Sequence, residues 1–370
     1  MTELYVGVMS GTSLDGVDVV VVELDEAVFN LRAMRTTAYP DELGTALRTL
    51  VQSAEISLLE LGRLNVTLGE FVASSVLELL VDANYAPSDI SALGFSGHTV
   101  LHQPEPPQAF SLQLGNPNTI AALTRITTVA DLRGMDIALG GQGAPLVPAF
   151  HAWRFANPIE TRAVVNIGGI ANLTCLDPQR PLRGFDSGPG NALMDAWCRQ
   201  AGRGPFDEDG AWAASGAVDS ELLRALQKDT YFAKPPPKST GLEYFNLAWL
   251  EPILERHTGA IPPEDVQATL LELTATTIAA ASKSSMPRLE RVILCGGGAY
   301  NGTLVRHLGR LFAPTPVDSS AAYGIAPDWV EAAAFAWLAR ARLHHCQGNS
   351  PSVTGARKPA VLGGVYSANK

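Results

Sequence analysis

The chain has 370 residues, 46% of them hydrophobic and 17% charged, proportions of a folded globule long enough for two cores and not of a disordered chain. Its 27 Lys and Arg against 37 Asp and Glu give a formal net charge of -10. That field excludes general affinity for nucleic acid or an anionic membrane, though not an anion held locally by backbone N–H groups. Cys175, Cys198, Cys295 and Cys346 stand far apart, without metal-site spacing, and read as reduced thiols. With no signal-peptide pattern and no run of 18 apolar residues, a cytoplasmic location is expected.

In chain order, LYVGVMS and VDVVVVELD form two strands flanking a small polar loop, Ser10 to Gly16. Residues 56–83 place Leu58, Leu61, Leu64, Leu68, Val76, Leu79 and Leu80 at helical spacing. APSDISALGFSGHTVLHQP gives a turn, a short strand and a polar loop, GNPNTIAALTR opens a helix, and TTVADLRG returns to a strand. RAVVNIGGIANLTCLD then repeats the opening theme of strand, small-residue turn and strand. RGFDSGPGNALMDAWCRQ is a glycine loop entering a helix, and TYFAKPPPKSTGL, with three consecutive prolines, is a stiff exposed loop. DVQATLLELTATTIAAAS is a helix, RVILCGGGAYNGTLVRHLGRLFA is strand, glycine turn and helix, and PDWVEAAAFAWLARARL is the final helix before a loop-like tail from residue 347. Two halves that begin alike predict a duplicated fold facing a shared cleft.

The opening loop has more glycine and hydroxyl than a turn requires. Its N–H groups suit a polyphosphate, and Asp15 and Asp18 suit magnesium; a simple hairpin turning at Asp15-Gly16 is the alternative. Gly168 and Gly169 could face the same phosphates or merely turn a hairpin. Gly296, Gly297 and Gly298 would let a flat nucleotide lie on the backbone, or form a flexible strand-to-helix loop. Asp186, in a glycine-proline turn, is a general base or a helix cap. Asp328 and Glu331 fit a capping-box variant, unless Glu331 accepts from a sugar hydroxyl or amide. His98 and His102 lack partner ligands for a metal, and His98 suits a polar substrate contact. Arg133 could grip a carboxylate or pair with Asp131 or Asp136, with Gln142 nearby among glycines.

Taken together, GVMSGTSLDGVD, GGQGAPLVPAFH, VNIGGIANLT, GFDSGPGN, KSTGLEYFN and LCGGGAYN resemble the anhydro-N-acetylmuramic acid kinase family, from Tyr5 to the C-terminal helix. The resemblance implies the α/β, two-lobed actin-like ATPase fold of the acetate-kinase, sugar-kinase, Hsp70 and actin superfamily, with duplicated mixed-sheet domains around an interdomain cleft. Its expected parts are an N-terminal lobe over 1–129, a C-terminal lobe over 130–326, and a C-terminal helix and tail over 327–370 packing back on the first lobe. It implies ATP and Mg2+, and an anhydro amino sugar that is opened at its 1,6-anhydro bond and phosphorylated on O6, in peptidoglycan recycling. By motif, Asp186 is the catalytic base. ATP falls to Gly11, Thr12, Ser13, Leu14, Asp15, Gly16, Val17 and Asp18, to Gly168, Gly169 and Asn172, and to Gly296, Gly297, Gly298 and Asn301. The sugar falls to His98, Arg133, Gln142 and Glu331. Met9-Ser10 stands where many superfamily members carry an Asp, so the metal ligand stays open between Asp15 and Asp18. No nucleic-acid or membrane partner is implied, and a homodimer is left open.

Overall fold

A computed structural model describes residues 2–11 and 16–368. In chain order its strands are β1 (Glu3–Ser10), β2 (Gly16–Leu24), β3 (Phe29–Ala38), β4 (Ile90–Phe95), β5 (His98–Gln103), β6 (Phe110–Leu114) and β7 (Thr128–Ala130). Then follow β8 (Arg162–Ile167), β9 (Ile170–Leu176), β10 (Arg183–Pro189), β11 (Arg291–Cys295), β12 (Val317–Ser319) and β13 (Gly364–Tyr366). The chain divides into two compact units: one takes the residues up to Arg154 and those from Trp329 onward, the other Phe155–Asp328.

The first unit holds a six-stranded sheet, β13-β7-β4-β1-β2-β3. β1, β2 and β3 pair antiparallel, β1–β4 and β4–β7 parallel. Both faces are covered, which is why Val19, Val20, Val21 and Val22 form an unbroken buried run instead of alternating. Val6, Val8, Val19 and Val21 pack with Leu64, Leu68, Val72 and Val76 of the helix Leu58–Asp82. That helix starts at a capping box, with Ser57 accepting from the Glu60 N–H and Glu60 reaching back. The sequence showed no unbroken apolar run, yet this helix is long and apolar enough to cross a membrane by length and composition alone; half of that window is buried inside the protein.

The opposite face carries the helix Val330–Leu343. Its alanines let it approach the strands at two glycines. A Cβ on Gly7 would lie 1.9 Å from the Ala332 carbonyl oxygen, and one on Gly94 would lie 2.0 Å from that of Phe335. The tail expected as loop adds β13, antiparallel to β7.

The second unit has a five-stranded sheet, β10-β9-β8-β11-β12. β8, β9 and β10 pair antiparallel; β8–β11 and β11–β12 pair parallel. This repeats the order and strand directions of β3-β2-β1-β4-β7, so the α/β fold is duplicated, with a mixed sheet in each unit. Ala163, Val165, Ile167 and Leu173 face the long helix Pro263–Ser285 through Leu270, Leu271 and Ile278.

Three further expectations are corrected. The lobe boundary falls at 154/155, not 129/130, because residues 130–154 are tied into the first unit. There Asp136 accepts from Asn349 Nδ2 at 2.5 Å and Thr354 Oγ1 at 2.7 Å, and Trp153 Nε1 donates to the Glu26 carbonyl at 3.1 Å. The stretch RGFDSGP is not a loop but the edge strand β10, with a register shift between Asp186 and Gly188. The proline-rich segment is exposed over 233–237, but Thr230–Ala233 is a helical turn whose Tyr231 is buried.

Candidate functional site

The opening loop lies between the paired strands β1 and β2. Thr12, Ser13, Leu14 and Asp15 lie outside the described residues. Gly11 is half-buried at the end of β1. Gly16 and Val17 are used by the sheet itself: a Cβ on Gly16 would meet the Thr37 carbonyl oxygen at 2.2 Å, and the Val17 side chain is fully buried in the core. Asp18 stays half-buried on β2 and accepts a hydrogen bond from Thr36 Oγ1 at 2.6 Å.

Asp18 shares its surroundings with two residues expected at a sugar. Burial raises the Glu331 carboxyl, the Asp18 carboxylate raises it further, and the Arg133 guanidinium acts the other way. Burial likewise lowers the Arg133 guanidinium, and Glu331 opposes that. Arg133 donates to the Gly143 carbonyl at 2.9 Å. The loop it holds is shaped by Asp136, which also accepts from the Gly143 N–H at 2.8 Å. Gln142 lies on this loop with its side chain exposed and its N–H donated to the Thr354 carbonyl at 2.8 Å. The capping box expected of Asp328 and Glu331 is not formed: the helix Val330–Leu343 has no side-chain cap, and Asp328 is hydrogen-bonded by Tyr300. Glu331 is thereby left for another use.

His98 is buried at the start of β5. Its Nδ1 pairs with Ser10 Oγ at 2.7 Å, and Ser10 Oγ pairs with Tyr39 OH at 2.5 Å. Burial pushes the imidazole down to about 4, so it is neutral at pH 7. Its Nε2 is buried and finds no partner among the described residues.

In the second unit, Asp186 lies on β10 directly opposite Asn172 on β9, which in turn faces Asn166 on β8. Asn166 pairs with Cys295 on β11, so these residues make a row across one sheet face. The hairpin turn at Gly168-Gly169 docks on the helix Ala192–Gln200: the Gly168 carbonyl accepts from Asn191 N–H at 2.8 Å, and that of Gly169 from Gly190 N–H at 2.9 Å. The glycines at the two turns differ in what requires them. A Cβ on Gly296 would stand 2.3 Å from Asn166 Oδ1 and one on Gly298 would stand 2.3 Å from Ile167 Cγ2, so both are close-packing positions against β8. Among the described residues beyond its chain neighbours, a Cβ on Gly297 would meet nothing within 4 Å, and one on Gly168 only the Ile170 carbonyl oxygen at 3.6 Å. Those two leave open backbone that a side chain would otherwise cover, as a nucleotide cradle needs. Asn301 acts as a helix cap, its Oδ1 accepting from the Leu304 N–H at 2.9 Å.

Asp186 is not a helix cap. Its backbone N–H donates to the Lys238 carbonyl at 3.1 Å, its carbonyl accepts from Tyr231 OH at 2.8 Å, and its Oδ2 accepts from the Thr240 N–H at 3.0 Å. Burial pushes the carboxyl up to about 6; the Thr240 hydrogen bond opposes this, nearby Glu243 adds to it, and Lys238 opposes it. A carboxyl so placed is ionised yet basic near neutral pH, which suits general-base work. Tyr231, Lys238 and Thr240 contact Asp186 without having been expected there; Lys238 and Thr240 lie in the KSTGLEYFN string, which carries the resemblance without assigning roles, and Tyr231 lies outside it. Among the described residues no group of three or more His, Cys, Asp or Glu is arranged to hold a metal ion, and of the two magnesium candidates only Asp18 is described.

The model of the family "Anhydro-N-acetylmuramic acid kinase" matches residues 3–368. Over 367 residues the chain is 48% identical to the anhydro-N-acetylmuramic acid kinase of Saccharophagus degradans, covering 98% of this chain and 99% of that one. It is 46% identical over 368 residues to the enzyme of the same name from Pseudomonas syringae pv. syringae, covering 100% of each. Among solved structures, the activator of the 2-hydroxyisocaproyl-CoA dehydratase from Clostridium difficile with bound ADPNP aligns at a TM-score of 0.47 and 14% identity, over 91% of this chain and 93% of that one. A ROK family glucokinase from Streptomyces griseus, in complex with glucose and AMPPNP, aligns at 0.40 and 13% identity, over 91% and 99%.

Proposed function

The chain belongs to the anhydro-N-acetylmuramic acid kinase family, and on that premise we propose that it phosphorylates 1,6-anhydro-N-acetylmuramic acid on O6 with ATP while water opens the anhydro bridge. The products are N-acetylmuramate 6-phosphate and ADP, a step in the recycling of cell-wall amino sugar.

Asp186 takes a proton from the water that attacks C1. An inverting glycosidase needs a second carboxylic acid to protonate the leaving oxygen. Here the leaving oxygen is O6, which becomes bonded to the transferred phosphorus, so one base is enough. ATP supplies the phosphoryl group that captures O6. The turns at Gly168 and Gly297 hold its phosphates and adenosine by backbone N–H groups, together with the loop between β1 and β2. Asp15 or Asp18 would hold magnesium, directly or through water. Arg133, Glu331 and His98 bind the sugar: the guanidinium suits its lactyl carboxylate, and Glu331 and the His98 Nε2 suit hydroxyl or amide groups.

The observation behind this reading is the Asp186 carboxyl, half-buried, gripped by the Thr240 N–H, and pushed up to a pKa of about 6 by burial. Mass spectrometry of product made in heavy-oxygen water tests it. Label at C1 with phosphate on O6 is the expected result; an unlabelled product, or ADP release that requires a different acceptor, rejects it.

A further inference from the structure

We propose that Lys238 is a positioning residue for the chemistry at Asp186: its ammonium locks the proline-rich strap onto the turn Thr230–Ala233 and supplies the positive charge that steadies the Asp186 carboxylate. The inference deepens the reading of Asp186 as the base and rests on it.

The geometry is a two-sided clamp. The three prolines at 235–237 are exposed, but the chain then turns inward and Lys238 becomes half-buried. Its backbone carbonyl accepts the Asp186 N–H, and two residues later the Thr240 N–H reaches Asp186 Oδ2. The side chain doubles back. Lys238 Nζ donates to the carbonyls of Tyr231 at 3.1 Å and Phe232 at 3.4 Å, both within the helical turn Thr230–Ala233. It also sits 4.6 Å over the ring of Tyr231. Tyr231 OH holds the other side of Asp186, through its carbonyl. The strap and the turn therefore grip one residue from two sides, and Lys238 joins the strap to the turn.

Burying an ammonium lowers its affinity for its proton, and Lys238 bears that cost, with Lys234 adding repulsion and Asp186 relieving it. A neutral side chain of similar length would fill the space without it. The charge has a use if its field reaches the Asp186 carboxylate, and the influence the two groups have on each other fits that. The charged groups that act on the Asp186 carboxyl are Lys238 and Glu243 from the 238–246 segment, and the phenol of Tyr231 from the turn feels its charge in return; Lys234 acts on Lys238. From β9 the opposite residue is uncharged Asn172, and the helix Pro263–Ser285 contributes Thr274 and Thr277 to this stretch of β10. Among the described residues Lys238 is thus a cation that offsets Glu243 at the base.

The test is the pH profile of kcat for Lys238→Gln, Lys238→Met and Lys238→Arg, with Asp186→Asn alongside and folding checked by circular dichroism. Removal of the charge is expected to move the acid limb up by roughly half to one pH unit, lowering kcat about three- to tenfold on that limb while KM for ATP stays put. Lys238→Arg, still charged, is expected to restore the limb. A limb that stays in place in a folded neutral variant, or moves as far in Lys238→Arg, overturns the proposal. So does failure of both neutral variants to fold, since Lys238 would then be structural only. Near-normal turnover in Asp186→Asn would instead reject the base assignment itself.

Discussion

At the residue scale, Asp186 couples stability and activity in opposite directions. Its carboxyl is raised from the ordinary aspartate range to about 6, first of all by burial. Folding therefore favours its protonated form, so the group's contribution to stability falls as pH rises toward 6 and the full cost is present above it. Activity needs the ionised form and runs the other way, with kcat/KM falling as pH drops through about 6. Asp186→Asn keeps the shape and the acceptor for the Thr240 N–H. It is expected to lose turnover by several orders of magnitude and to melt higher than the parent at pH 8, by an amount on the order of 1–2 kcal/mol, with the gap closing near pH 4. Equal melting at both pH values would show that Asp186 is better solvated than its surroundings imply. The glycine triplet gives a second residue-level contrast. Gly298→Ala must push a methyl to within 2.3 Å of Ile167 Cγ2 and is expected to cost ~1–3 kcal/mol. The methyl of Gly297→Ala meets nothing within 4 Å among the described residues beyond its chain neighbours, so its melting temperature should hold while KM for ATP rises. Unchanged KM in Gly297→Ala would remove that turn from the nucleotide site.

At the scale of elements, the helix Val330–Leu343 and the sheet of the first unit are fitted at two points where backbone meets backbone. Gly7→Ala would set a methyl 1.9 Å from the Ala332 carbonyl oxygen, with no flexible side chain to give way. The helix must lift, and a loss of roughly 3 kcal/mol or more is expected, read as a fall in denaturant midpoint with little change in slope. A midpoint within error of the parent would mean the helix has slack. Much of this level could be read from sequence, and what could not has identifiable causes. Strand–glycine–strand units announce themselves because valine runs buried on both faces have no other explanation. β3 escaped because its inward side offers only half-buried Phe29, Leu31, Ala33, Arg35 and Thr37, a charged and a polar residue among them, alternating with exposed Asn30, Arg32, Met34 and Thr36. β10 escaped because Gly184, Gly188 and Pro189 punctuate it like a loop; an edge strand with a register shift tolerates them. The base and the glycines were visible as residue types, whereas Tyr231 is 45 residues from Asp186 and meets it only through the tertiary fold.

At the scale of the whole molecule, the duplicated strand order has a consequence for how the chain is assembled. The second unit is one continuous segment, Phe155–Asp328, whereas the first is interrupted by it and completed only by the residues from Trp329 onward. Those last residues supply the helix covering β1 and β4, the strand β13 beside β7, and Asn349 and Thr354, which satisfy the fully buried Asp136. Without them the first sheet exposes a face where Tyr5, Val20 and Val22 are now fully buried, and Asp136 loses two charge-assisted donors in a buried site. The second unit keeps its whole core, from Ala163 to Phe312. A chain ending at Asp328 is therefore expected to come apart by unit: amides of β1, β2 and β4 should exchange within the dead time of a hydrogen-exchange experiment, while those of β8, β9 and β11 stay protected. Uniform loss of protection would mean that the two cores fold as one cooperative body, and uniform retention that the C-terminal helix is dispensable to the first.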